Sequence, residues 1–461
     1  MNLKDKLSQM LAQARLGGRW QGEALVSPIS EEASSATNGK TDPGGDVQME
    51  LAIGRANLFA ALKRVRKNKG SAGVDGMSTD ELPGWLREHW PRVRQALLDG
   101  TYVPAPVRRV SIPKPQGGTR ELGIPTVLDR LIQQALLQVM QPRIDPTFSS
   151  HSHGFRPGRS ARGAIREALG YVKLRRVIVV DVDLAKFFDR VNHDVLMSRV
   201  ARHVNDPRVL KLIRRYLEAG VMMEGIAVPC DEGTPQGGPL SPLLANILLD
   251  DVDKALEASG SCFVRYADDL NVYVKSVRAG ERMMSRLRVL FSSLHLQINE
   301  EKSAVAHVNT RKFLGFTLDY EPGRKGESAR ISSQSLTRFK DRVREETKPT
   351  RGRSIEQVVH RLRRWMPGWR AYFAIRECIV KELFKELDGW IRRRLRALIL
   401  HQMKRGRVMY AELMKRVRTS HWVTIIARRS RSYWENSHHS AIHIAFPNRY
   451  FEGMGLPRLS T

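Results

Sequence analysis

The chain has 461 residues, 41% of them hydrophobic, and 77 Lys and Arg against 48 Asp and Glu, for a formal charge of +29. Its 3 cysteines, Cys230, Cys262 and Cys378, are far apart, which excludes a disulfide framework and paired Cys-x-x-Cys zinc knuckles. No apolar run nears the ~18 residues that span a bilayer, so two or three soluble domains with a polyanionic partner are expected.

In chain order, MNLKDKLSQML opens residues 1–24, which are amphipathic, charged and predicted to form a detachable helix; residues 25–48, rich in Ser, Gly, Pro and acids, predict a flexible linker. From Met49, MELAIGRANLFAALKRVRKNKG has helical spacing and predicts one helix stopped by Gly70. VRRVSIPKPQGGTRELGIP predicts a hairpin around PQGG, with Lys114 and Arg120 converging near its tip as a point charge and a forked donor suited to a triphosphate. TVLDRLIQQALLQVMQPRI predicts a helix. RVIVVDVDLAKFF runs β-branched residues into carboxylates, as a buried strand does when it delivers Asp183 to a site at its end. SCFVRYADDLNVYVKS predicts a second hairpin, with Asp268 and Asp269 in its turn.

Beyond about Tyr320 the sequence reads as helical and Arg-rich. From Arg324 onward 32 Lys and Arg stand against 12 Asp and Glu, so +20 of the +29 lies there, together with Trp365, Trp369, Trp390, Trp422 and Trp434. Cations interleaved with aromatic rings suit phosphate contacts and base stacking, so this region is expected to grip RNA or DNA. His439 and His443 are four apart and could share a helix face, but no third Cys or carboxylate is read as completing a site and no zinc is expected.

Carboxylates from two strands are the minimum for a pair of Mg2+ ions ~3.5–4 Å apart, which serve in-line phosphoryl transfer. At these residues the chain resembles the reverse transcriptase family. YADD matches its Tyr-x-Asp-Asp box, DLAKFFDRVNHD its first aspartate motif, TPQGGPLSPLLANILLD its Pro-Gln-Gly segment, LHLQINEEKS its downstream lysine segment and FLGF its primer-grip strand. The resemblance implies a catalytic and metal-binding set of Asp183, Asp268 and Asp269, with Val182 beside them. It also implies a deoxynucleotide pocket of Lys114, Arg120, Phe188, Gln236 and Gly237, Lys302 as general acid, and a primer grip of Phe313, Leu314 and Gly315. Phe188 would leave no room for a 2′-hydroxyl, which argues against an RNA-dependent RNA polymerase.

KNKGSAGVDGMSTDEL, the run HGFRPGRS at 153–160, LRRWMPGWRAYF and the tail YWENSHHSAIHIAFPNRYFEGMGLPRL resemble one branch, the group II intron-encoded reverse transcriptases and maturases, here without an HNH endonuclease. That branch implies an α/β (α+β) right-hand polymerase: an extension at 49–106, fingers and palm at 107–322, an all-α thumb or maturase domain at 323–395 and a small helical basic DNA-binding domain at 396–461. It implies binding of intron RNA, target DNA and deoxynucleotides in the bacterial cytosol, close to the nucleoid, with no membrane partner. The nucleic-acid contacts expected are Arg156, Arg159, Arg361, Arg363, Arg364, Trp369, Arg370, Tyr372, Arg392, Arg393, Arg394, Lys404 and Arg405. Two alternatives are a reverse transcriptase of another bacterial role, in defence or adaptation, and a splicing chaperone with an idle polymerase site.

Overall fold

The computed structural model describes residues 48–113, 119–223, 226–228, 233, 237–321 and 326–460. The expected helix at 1–24, the linker before Gln48, Lys114 and Gln236 lie outside them. Two compact units form: the first contains the residues through Ala164, Val180–Val272 and Arg278–Val305, the second Ile165–Val179, Tyr273–Val277 and the residues from Ala306 on. Residues 165–179, 273–277 and 306–321 group with the later residues.

In the first unit, the expected single helix after Met49 is two helices, Met49–Ala52 and Arg55–Asn68, separated at Gly54. The second ends not on Gly70 but on Lys69, which takes the left-handed conformation (φ 45°) and donates its N–H to the carbonyl of Arg66. Ala61 and Val65 of this helix bury against Leu82 and against Val127, Leu131 and Ala135 of the Val127–Ile144 helix. Thr126 caps the latter helix: its Oγ accepts from the Asp129 N–H and donates to the Asp129 carboxylate at 2.6 Å. Burial pushes the Asp129 carboxyl above the usual range, against the pull of its bonds from Thr126 and from the Tyr102 hydroxyl at 2.8 Å.

The hairpin expected at 107–125 is present as β1 (Val107–Pro113) and β2 (Thr119–Ile124), paired antiparallel from Arg108↔Ile124 to Pro113↔Thr119. β3 (Ile178–Val182) is followed by the short antiparallel pair β4 (Val221–Met223) and β5 (Ile226–Val228), and β4 runs parallel to β1, giving the order β2-β1-β4-β5. A second sheet has the order β6-β7-β3-β8, with β6 (Cys262–Tyr266), β7 (Asp269–Val274) and β8 (Ala304–His307). Five of the six residues of β7 are buried, as are three of the five in β6, with Asn271 and Arg265 the polar members of those buried sets.

In the second unit, β9 (Lys312–Phe313), β10 (Phe316–Glu321) and β11 (Gly326–Ile331) form a sheet before the helices begin. β11 corrects the expectation that everything from 323 is helical. Its sequence GESARI carries little strand propensity, but it pairs along β10 from Phe316↔Ile331 to Glu321↔Gly326 and buries Ala329 completely. The expected boundary at 395/396 falls inside one continuous helix, Lys381–Met403, whose Ile391, Leu395, Leu398 and Ile399 bury on both sides of it. Asp388 of that helix accepts from the Leu459 N–H at 2.9 Å and from the Ser460 N–H and hydroxyl at 3.0 and 2.8 Å.

Cys378 is 7% exposed, and burial followed by the neighbouring Glu377 pushes its thiol up to about 12. Only about one molecule in 10^4 or fewer then carries the thiolate near pH 7.5, and the thiolate is the reactive form. Iodoacetamide followed by mass spectrometry should leave Cys378 unmodified in the native protein and label it after denaturation.

Candidate active site

Asp183 follows the last residue of β3, and the loop at 299–303 clamps its backbone: its N–H donates to the Ser303 hydroxyl at 3.0 Å and its carbonyl accepts from the Asn299 N–H at 2.8 Å. The Lys302 ammonium stands 3.5 Å from its carboxylate. Both side chains of that pair are open to solvent, at 61% and 34% exposure, so the contact adds little stability and its meaning is one of position. Lys302 lies in a turn that leads into β8, not at a helix end.

Asp268 and Asp269 sit where β6 turns into β7, and β7 is the neighbour of β3. With its amide oriented to match, Asn271 donates to the Asp181 carboxylate at 3.0 Å, tying β7 to β3 two residues after Asp269 and two before Asp183. Asp183 and Asp268 are half-buried and Asp269 is exposed, so the carboxylates border solvent. Among the described residues no three carboxylate, imidazole or thiol groups are gathered as a closed metal cluster. The donor set nevertheless suits Mg2+, a hard ion that binds one or two carboxylates and completes its shell with water and substrate phosphates.

The turn between β6 and β7 has two central residues, Ala267 and Asp268. Ala267 adopts φ 59°, the left-handed region that costs a side chain roughly 1 kcal/mol or more, in the position where such turns favour glycine. Its carbonyl accepts from Arg265 Nη1 at 2.9 Å. Arg265 is 1% exposed and makes a forked ion pair with the fully buried Asp253, Nε to Oδ1 at 2.8 Å and Nη2 to Oδ2 at 2.5 Å. Burial raises the Asp253 carboxyl while the Arg265 charge opposes that rise. Nη1 of Arg265 also donates to Asn246 Oδ1 at 2.9 Å, and Asn246 Nδ2 donates to the Gly154 carbonyl at 2.9 Å. Asn246 and Asp253 are seven apart, two turns on one face of the Ser241–Ala258 helix. This network was not read from the sequence. Its signal is there, in two polar residues at helical spacing within the apolar run LLANILLDDVDKAL.

The other expected residues divide by what they touch. Phe188 is half-buried in the short turn Phe187–Asp189, its ring edge-on to Phe187 at 5.0 Å. Gly237 has φ 138°, and a Cβ there would stand 2.7 Å from the Gly123 carbonyl, so its close approach is to β2 of its own chain. Arg120 holds a backbone place in β2 opposite Ile112. FLGF is not one strand: Phe313 ends β9, Leu314 and Gly315 form a left-handed turn at φ 51° and 80°, and Phe316 starts β10. Tyr372 donates its hydroxyl to the Leu314 carbonyl at 2.9 Å.

Arg156, expected to meet nucleic acid, is instead internal. Its side chain is 5% exposed, and its guanidinium donates to the Asp145 carboxylate at 2.9 Å, to the Asp145 carbonyl at 2.8 Å and to the Ser149 carbonyl at 2.5 Å. Trp369 packs on Phe339, with ring centres 4.1 Å apart, and Arg370 donates to the Leu459 carbonyl at 2.9 Å. Arg361 pairs with Glu346, Arg393 stacks 4.1 Å over Trp434, and Arg394 donates to Thr347 at 2.7 Å. Arg392 is half-buried, while Arg159, Arg363, Arg364, Lys404 and Arg405 are exposed. His439 caps the helix Ser440–Ala445 by accepting from the Ala441 N–H.

The reverse transcriptase (RNA-dependent DNA polymerase) family signature matches residues 112–318, and that of the group II intron maturase-specific domain matches residues 336–418. The protein YkfC of Escherichia coli K12 is 34% identical over 350 residues, 66% of this chain and 92% of YkfC. The chain belongs to the group II intron reverse transcriptase and maturase family. Reverse transcriptases are RNA-directed DNA polymerases that work with divalent metal ions such as Mg2+. The group II intron-encoded protein LtrA of Lactococcus lactis subsp. cremoris is 38% identical over 197 residues, which span 42% of this chain and a third (33%) of LtrA. A solved "Partial Cas6-RT-Cas1--Cas2 complex" aligns at a TM-score of 0.35 and 21% identity, over 56% of this chain and 44% of that one. None of the described helices is long and apolar enough to cross a membrane.

Proposed function

We propose that this reverse transcriptase binds a group II intron RNA, assists its splicing and copies it into DNA from a target-site 3′ end, using two Mg2+ ions. The observation that carries the reading is the delivery of Asp183 by β3 and of Asp268 and Asp269 by the turn into its neighbour β7. In the reaction the primer 3′-hydroxyl attacks the α-phosphate of a deoxynucleotide, a new phosphodiester bond forms and pyrophosphate leaves, with no covalent enzyme intermediate. Bound Mg2+ would activate the attacking hydroxyl and stabilise the charge on the leaving oxygens. Asp183, Asp268 and Asp269, with the Val182 carbonyl, would hold the ions.

Lys302 stands within 3.5 Å of Asp183, where its ammonium can hand a proton to the departing pyrophosphate. Lys114 and Arg120 would take the triphosphate, Gln236 and Gly237 the template-paired base, and Phe313, Leu314 and Gly315 the primer end. In this reading the first unit supplies fingers and palm, the second the thumb or maturase and DNA-binding regions. Exposed Arg159, Arg363, Arg364, Lys404 and Arg405 would contact RNA and target DNA, a sequence-independent grip that weakens steeply with salt. Such a protein would work in the bacterial cytosol, at the nucleoid when it meets DNA.

Purified protein should extend a DNA primer on an RNA template with deoxynucleotides, only in the presence of Mg2+. Tight, salt-sensitive RNA binding without extension would favour a splicing chaperone instead. In the same assay Phe188→Val should raise ribonucleotide incorporation relative to deoxynucleotide by on the order of tenfold or more. Unchanged sugar discrimination would remove Phe188 from the pocket.

A further inference from the structure

Nothing in the two-metal reading explains why the turn bearing Asp268 is built on a strained alanine, or why a buried ion pair lies behind it. The turn is gripped from two sides. Arg265 holds the Ala267 carbonyl at 2.9 Å, and all three of its nitrogens are also engaged by Asp253 or Asn246, so it cannot swing away without stranding a buried charge. On the amide side, Gly154 lies so close that a Cβ would stand 2.2 Å from the Ala267 nitrogen and 2.9 Å from the Tyr266 carbonyl carbon. Backbone bonds fix that approach, His153 N–H to the Arg265 carbonyl at 2.8 Å and Arg265 N–H to the His151 carbonyl at 2.9 Å. Asn246 joins the two grips, since it accepts from Arg265 and donates to the Gly154 carbonyl.

We propose that Asn246, Arg265 and Gly154 are positioning residues for polymerisation, holding Ala267 in its left-handed conformation and thereby fixing where the Asp268 carboxylate sits. The inference rests on Asp268 being catalytic. It gives the segment HGFRPG a task within the protein, behind the catalytic turn. A left-handed alanine reverts to extended or right-handed backbone unless its surroundings over-determine it, and either change re-aims the next side chain. Displacements of about 1 Å in a catalytic group are worth on the order of 100-fold in rate.

Arg265 and Gly154 are too deeply packed to test alone, so the test uses Asn246→Ala, Ala267→Gly and the double variant in the full chain, with the parent and Asp268→Asn as controls. Asn246→Ala should slow single-turnover extension by about 10- to 100-fold. Its deoxynucleotide half-saturation and RNA affinity should stay within about threefold of the parent's, and the amides at the turn should exchange hydrogen faster. Glycine adopts positive φ freely, so Ala267→Gly alone should extend at near the parent rate, and in the double variant it should restore most of the rate lost in Asn246→Ala. A purely structural role for Asn246 predicts no such rescue. The proposal falls if Asn246→Ala extends as fast as the parent, if its turn exchanges no faster, or if the double variant is as slow as Asn246→Ala. If the parent extends no primer, or Asp268→Asn extends as well as the parent, it is the catalytic reading of Asp268 that fails, and hydrogen exchange at the turn still decides whether Asn246 holds it.

Discussion

The Asp268→Asn/Asp269→Asn variant should lose primer extension by at least about 1,000-fold and keep its fold and its affinity for RNA. Replacing a carboxylate with an amide keeps the shape and removes the charge that, in the proposed reading, would hold Mg2+, and electrostatic stabilisation with positioning accounts for nearly all catalysis of phosphoryl transfer. Asp183→Asn should behave alike, as the second source of the site. The check is single-turnover extension on an RNA template beside filter binding of the same RNA. Extension within tenfold of the parent by either variant would remove these residues from the reaction.

The second large effect concerns stability. Arg265→Met leaves the fully buried Asp253 without its counter-charge, and breaking a buried pair from one side costs about 3–5 kcal/mol. Urea unfolding of the variant and of the Asp253→Leu/Arg265→Met double variant should show the double recovering most of the loss, because it buries no lone charge. The pH dependence has a definite sign. Burial raises the Asp253 carboxyl, and losing Arg265 removes what opposed the rise. A carboxyl raised in the folded state contributes stability that is fully present below its unfolded value of about 3.9 and lost as pH rises through its folded value. Arg265→Met should therefore fall further below the parent on going from acidic to neutral pH, and a deficit flat across that range would contradict the argument.

The strands of the candidate site were legible because local pattern and chemistry coincide there. Apolar runs that end in carboxylates pointed to β3 with Asp183 and to the hairpin with Asp268 and Asp269, and the sequence PQGG marked the division between β1 and β2. What could not be read depends on partners distant in sequence. Arg156 stands in a basic, glycine-rich run that looks built for phosphate, and only the chain's return past Asp145 and Ser149 reveals that its guanidinium is consumed internally. β11 is polar and owes its strand conformation to β10 and to bonds from the segment at 377–379, where Ala329 N–H donates to the Glu377 carbonyl. The border that the resemblance implied near 395 falls within a helix whose Ile391, Leu395, Leu398 and Ile399 are core and whose Arg396 is itself buried, so no break in packing marks it.

The bonds that Asp388 accepts from Leu459 and Ser460 set an order of events during synthesis. They join residues 71 and 72 apart, so that closure waits until position 460 has left the ribosome. The residues grouped in the first unit end at Val305 and are made before any of these. At about 5–20 residues per second, the 155 residues from 306 to 460 take roughly 8–30 seconds to make. For that interval the Lys381–Met403 helix lacks its closing bonds, so its end of the second unit is the last part of the described fold to be fastened.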